Sequence, residues 1–124
     1  YSSFKYIQFL GGIYNIEILN NLRYYSNIYF HGHTVGGTNP SLLEAMASNS
    51  LICAHNNDFN RYILEEHALY FTNDDDVAQH LMNAKYEDSR IQSMLIENTK
   101  KINEMYDWEI IIDQYVNHFT SIVK

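Results

Sequence analysis

Four short apolar runs set the limits on what this chain can become: "YIQFLGG", "NIYFHG", "LICAH" and "ALYF". Each is too brief for a stable helix, and each is bounded by glycine or by polar turn residues. That pattern predicts strands. None alternates apolar with polar, as expected of strands covered on both faces. Helical patterns lie between them. Asn15 caps a helix from Ile16 to about Tyr24, with Ile18, Leu19, Leu22 and Tyr25 on one face. A second helix runs from Pro40 to about Ser48. The polar loop "NNDFN" then precedes a short helix through Arg61 to Glu66. Strand and helix in strict alternation predict an α/β fold, a parallel sheet of about four strands flanked by helices.

After "ALYF" the strands stop, and extra C-terminal helices are expected. "NDDDVAQHLMNA" is capped by its own aspartates, which suit the positive end of a helix. "EDSRIQSMLIENTKKINEMY" brings Ile91, Met94, Leu95, Ile102 and Met105 round at helical spacing. "DWEIIIDQYVNHFTSIV" turns Trp108, Ile111, Ile112, Tyr115, Phe119 and Ile122 inward. There is no internal repeat, and one proline in 124 residues suggests no second domain boundary, so residues 1–124 read as one domain. A chain of this length buries about two thirds of its unfolded surface and needs no staples. The opening "YSSFKYIQFL" lacks Met and enters an apolar run at once, so a piece of a longer protein is expected.

Charge narrows the partners. The net charge of −7 repels phosphate backbones, so no nucleic-acid partner is expected. A local anion site built from backbone amides remains compatible with it. The single cysteine, Cys53, has no internal partner, which fits a reducing, cytoplasmic setting.

The chemistry concentrates in "GGTNPSLLEAMAS", Gly36 to Ser48. In open parallel sheets, ligands bind outside the carboxyl ends of the strands, where this loop falls. Gly36 and Gly37 allow positive φ and close approach of a ligand. Asn39 is a good N-cap, and Pro40 suits the first helical position. Ser41, Leu42 and Leu43 are then expected to offer free N–H groups to a phosphate or diphosphate. Glu44, one turn further in, suits the hydroxyls of a sugar attached to that phosphate, a nucleotide ribose above all. The same string is also simply a good helix start. His33, just before the loop, is either a pocket residue or a hydrogen-bonded loop histidine.

These residues resemble a known family. "GGTNPSLLEAMASNSLICAHN" is similar to the carboxyl-terminal, nucleotide-sugar-binding domain of GT-B glycosyltransferases of glycosyltransferase family 4. "YFHGHTVGGTNPSLLEAMAS", with "DFNR" downstream, resembles the bacterial rhamnosyltransferase-like branch that builds capsular and O-antigen chains. "YDWEIIIDQY" is similar to the family's tail helix. The resemblance covers most of the chain and implies a Rossmann-like donor-binding domain. It implies sugar transfer from a nucleoside diphosphate sugar with no required metal and no cofactor. Glu44 matches the family's ribose-contacting Glu. Ser41 and Leu42 match positions whose backbone N–H groups hold the diphosphate. Gly36 stands where another Glu contacts the donor sugar, a departure that leaves Thr38, Asn39 and the loop backbone to take over, or the sugar to be held differently. Deoxysugars offer fewer hydroxyls, so a rhamnose donor carried on deoxythymidine diphosphate fits that departure. The binding set implied is therefore His33, Gly36, Gly37, Thr38, Asn39, Ser41, Leu42 and Glu44; the catalytic residues are not identified. The family's diphosphate-neutralising Arg and Lys and its N-terminal acceptor domain would precede Tyr1. The isolated chain is then expected to bind nucleotide weakly and to transfer no sugar. Lipid-linked acceptors would bring the parent enzyme to the inner face of the membrane.

Other residues carry rival readings. His31 and His33, with Cys53 and His55, have a spacing from which a zinc site can be drawn, although strand ends near ligand loops also carry histidine without metal. Arg61 either pairs with Asp58 or Glu65 or faces phosphates. Asp74, Asp75 and Asp76 read as a helix start. The competing function is a non-catalytic α/β nucleotide- or phosphate-binding or regulatory module. A phosphorylatable receiver is one version, but "LGGIYN" and "AHNND" lack its acidic positions. A GT-B epimerase or phosphorylase is the enzymatic rival.

Overall fold

A computed structural model describes residues 5–123. Among them it places nine elements: α1 (Ile16–Tyr25), β1 (Tyr29–His31), α2 (Pro40–Ala47), β2 (Ile52–His55), α3 (Asp58–Leu64), β3 (Leu69–Phe71), α4 (Asp74–Asn83), α5 (Ser89–Met105) and α6 (Trp108–Ile122). The three strands form one open parallel sheet in the order β1-β2-β3. Tyr29 lies beside Ile52, His31 beside Ala54, and Ala54 beside Tyr70.

The α/β class and the parallel sheet follow the sequence, but among the described residues the sheet has three strands and a fourth is not shown. Residues 7–12 of "YIQFLGG" adopt no regular structure and Tyr6 stands in a turn. A buried parallel strand needs a layer on each face. Here Tyr6, Phe9 and Leu10 are all exposed, so nothing covers the run.

The strands alternate their side chains between two cores. On one face Ile52 and Ala54 pack with Leu42, Ala45 and Met46 of α2, Ile63 and Leu64 of α3, and Ala68. On the other, Leu51, Cys53 and Leu69 pack with Ile91, Met94 and Leu95 of α5. α5 has 17 residues and reaches about 25 Å at 1.5 Å per residue. That length lets its far end, Ile102 and Tyr106, pack against the first core as well. Asn98, midway, is buried and its Nδ2 donates to the His67 carbonyl.

The inward expectation for α6 is corrected, and the apolar stripes of α1 and α5 are only partly covered. In α1 the buried residue is Arg23, while Ile18, Leu22 and Tyr25 are exposed. In α6 no residue is fully buried; Ile111 is half-buried, and Trp108, Ile112, Tyr115, Phe119 and Ile122 are exposed. In α5 Met105 is exposed. Helical periodicity specifies a stripe, but the stripe is buried only where another layer meets it. α3 also begins earlier than expected. Asn57 caps it by accepting from the Asn60 N–H at 2.9 Å, so "NNDFN" is a cap and first turn. α4 is capped by Asn73, which accepts from the Asp76 N–H, while Asp76 Oδ2 accepts from the Thr72 N–H in return. Among the described residues no helix is long and apolar enough to cross a membrane.

Candidate functional site

α2 starts where the sequence places it. Asn39 has extended backbone and Pro40 occupies the first helical position, where its missing N–H and fixed φ cost nothing. The consequence for the amides is the reverse of the expectation. Asn39 Oδ1 accepts from the Ser41 N–H at 3.0 Å and from the Ser41 hydroxyl at 2.7 Å. The Leu42 and Leu43 N–H groups donate to the Asn39 carbonyl at 3.0 and 3.2 Å. The residue that makes the helix begin here takes up the donors itself. Within the loop, the N–H groups of Gly36, Gly37 and Thr38 have no backbone partner among the described residues and are exposed, as are those of Thr34 and Val35 before them. Gly36 sits at φ +133°, a conformation L side chains rarely adopt. Gly37 has no positive φ, and a Cβ there would meet open space.

The loop leaves the carboxyl end of β1 and is tied down at its root. Asn57 and Asn60 donate from their Nδ2 groups to the His33 carbonyl, at 2.9 and 3.3 Å. Asn60 Nδ2 also donates to the His55 carbonyl at 2.8 Å, so one buried amide joins the ends of β1 and β2. The exposed His33 ring stacks on His31 with centroids 4.7 Å apart. His31 is 1% exposed, and its Nε2 has no partner among the described residues. Burial first, and then the charge of His33, hold the His31 pKa below its ordinary value of 6.5.

Glu44 meets a cation that the sequence reading did not weigh. Arg23 of α1, 5% exposed, donates from Nη2 to Glu44 Oε2 at 2.6 Å. Thr38 and Glu44 line one open cleft of about 640 Å³ together with Pro40, Leu43, Ala47, Ile102, Tyr106, Trp108 and Ile111. The structure therefore brings Thr38 and Glu44 together. His33, Gly36, Gly37, Asn39, Ser41 and Leu42 lie outside the lining of that cleft. Leu42 is buried in the core, and its N–H is taken by the Asn39 carbonyl.

The remaining polar candidates settle as structural groups. Among the described residues no three His, Cys, Asp or Glu side chains are grouped to hold a metal. The register separates the members of the drawn zinc site: Cys53 pairs with Phe30 and Leu69, while His31 pairs with Ala54 on the opposite face. Arg61 pairs with neither Asp58 nor Glu65. Its Nε donates to Asn56 Oδ1 at 2.6 Å, and its guanidinium covers the Tyr70 ring at 4.2 Å. Glu65 takes Lys101 instead, at 3.0 Å. Arg23, Asn57 and Asn60 are the site residues that sequence reasoning missed. The three-residue spacing of Asn57 and Asn60 at a helix start was the available signal for two of them. A lone Arg on an apolar helix face was the signal for the third.

No protein-family model, curated protein or solved structure matches the chain. The fold and its loop define an α/β protein with an open parallel sheet and a glycine loop at the carboxyl end of an edge strand.

Proposed function

We propose that this chain is the donor-binding part of a glycosyltransferase that moves a sugar, with rhamnose the first candidate, from a nucleoside diphosphate sugar to a growing surface polysaccharide. The observation that carries the reading is the shared cleft of Thr38 and Glu44 at the capped start of α2. A carboxylate facing that hollow suits sugar hydroxyls. Because the first-turn amides are paired, the diphosphate falls in this reading to the loop amides of Gly36, Gly37 and Thr38. In this reading the acceptor is held by another domain of the same enzyme, and the chain alone transfers no sugar.

Thermal denaturation against UDP, GDP, ADP and dTDP and their sugars tests it. Ligand at about ten times its Kd stabilises by about 1.4 kcal/mol, or several degrees. The reading expects such a shift with at least one nucleoside diphosphate and its loss in Glu44→Ala. No shift with any of them overturns it. The alternative is a non-catalytic nucleotide- or phosphate-binding or regulatory module. That alternative expects the sugar-bearing nucleotide to stabilise no more than the bare diphosphate.

A further inference from the structure

The Arg23–Glu44 pair is lopsided. The Arg23 side chain is 6% exposed, and the Glu44 side chain, on the wall of the cleft, is 44% exposed. Arg23 is fixed from several sides. Its Nη1 donates to Asn20 Oδ1 at 3.0 Å, and its carbonyl accepts from the Ser26 and Ser50 hydroxyls at 2.8 and 3.0 Å. Its Nε is buried and has no partner among the described residues. A bridge made only for stability would gain from a two-armed guanidinium–carboxylate contact, and buried ion pairs are in any case poor sources of stability. This bridge uses one arm. It engages Glu44 Oε2, and Oε1 takes no hydrogen bond among the described residues.

We infer that Arg23 is a positioning residue: it holds the Glu44 carboxylate in one orientation, with Oε1 presented to a ribose hydroxyl of the bound nucleotide. The inference rests on the donor-site reading above, because it assigns that hydroxyl to Glu44. A fixed carboxylate accepts a hydroxyl without first losing rotamer freedom, so the hydroxyl contributes its full charge-assisted hydrogen bond. A released Glu44 side chain turns to water, and the hydroxyl contributes little.

The test measures affinities of the full chain, by NMR titration, for UDP, GDP, ADP and dTDP, each against its 2′,3′-dideoxy counterpart. For the wild type the natural nucleotide binds about 10-fold tighter than the dideoxy form, the size expected of a hydrogen bond to a charged group. In Arg23→Lys and Arg23→Gln that ratio collapses toward parity while dideoxy affinity is retained. A merely structural Arg23 weakens both forms alike and leaves the ratio intact, which overturns the inference and spares the donor-site reading. A wild type that binds nucleotides with no dependence on the hydroxyls also overturns it. A wild type that binds none of the eight overturns the donor-site reading, and the inference with it. Should both variants fail to fold, the wild type still decides: its Arg23 Nε–H resonance is expected to shift with the natural nucleotide and stay fixed with the dideoxy form. A resonance that responds to both or to neither counts against the role.

Discussion

His31 ends β1 with its imidazole shut away from water and stacked on His33. Its lowered pKa makes a pH dependence. In the folded chain the ring resists protonation, while in the unfolded chain it takes a proton at its ordinary 6.5. The unfolded state therefore binds more protons below that value, and stability falls as the pH drops through it toward the depressed folded value. Glu65, whose pKa Lys101 lowers by hydrogen bond and charge, acts in a separate window below 4.5. Urea midpoints are expected to decline between pH 7 and pH 5 and to flatten across that interval in His31→Phe. An unchanged slope would reassign the effect. At this scale the sequence was legible where chemistry is local. Asn39 and Pro40 were readable as a helix start because a cap involves residues two and three apart. The Arg23–Glu44 bridge spans 21 residues, and no local pattern encodes it.

Among the elements, α3 does more than fill a crossover. Its cap residue Asn57 performs two tasks with opposite ends of one amide. Oδ1 accepts from the Asn60 N–H, and Nδ2 donates to the His33 carbonyl at the root of the glycine loop. Aspartate at this position keeps the acceptor and loses the donor. Asn57→Ala is expected to cost about 1–2 kcal/mol in urea unfolding, as a lost cap does. Asn57→Asp is expected to cost less while raising hydrogen exchange across 33–38. Equal exchange in the two variants and the wild type would show the loop to be fixed by other means. The strands "NIYFHG", "LICAH" and "ALYF" and all six helices were readable from apolar runs and caps. The run "YIQFLGG", the inward face expected of α6 and the exposure of the α1 stripe were not, because an apolar pattern states a preference for burial and does not supply the covering layer. Ile18, Leu22, Phe119 and Ile122 keep that preference unmet. Of the site, Glu44, Thr38 and the glycine loop were foreseeable. The pairing of the first-turn amides was foreseeable in principle, since a side chain able to cap a helix is also able to close it to an anion.

At the scale of the molecule, the described residues form a three-stranded sheet between two cores, with α5 long enough to serve both. Cys53 lies on the central strand, 0% exposed, between β1 and β3 and beneath α5. Burial first, and then the charge of Asp76, push its thiol pKa up to about 11, so in the folded chain it is both hidden and protonated. Only the thiolate attacks an alkylating reagent. The chain thus carries a built-in stopwatch. Each carbamidomethyl group that mass spectrometry counts after timed exposure to iodoacetamide marks one occasion on which the middle of the sheet came apart. The tally is expected to stay near zero in buffer and to climb with urea along the global unfolding curve. Prompt labelling without denaturant would mean that the centre gives way before the rest, and the sheet would then be the loosest part of the molecule.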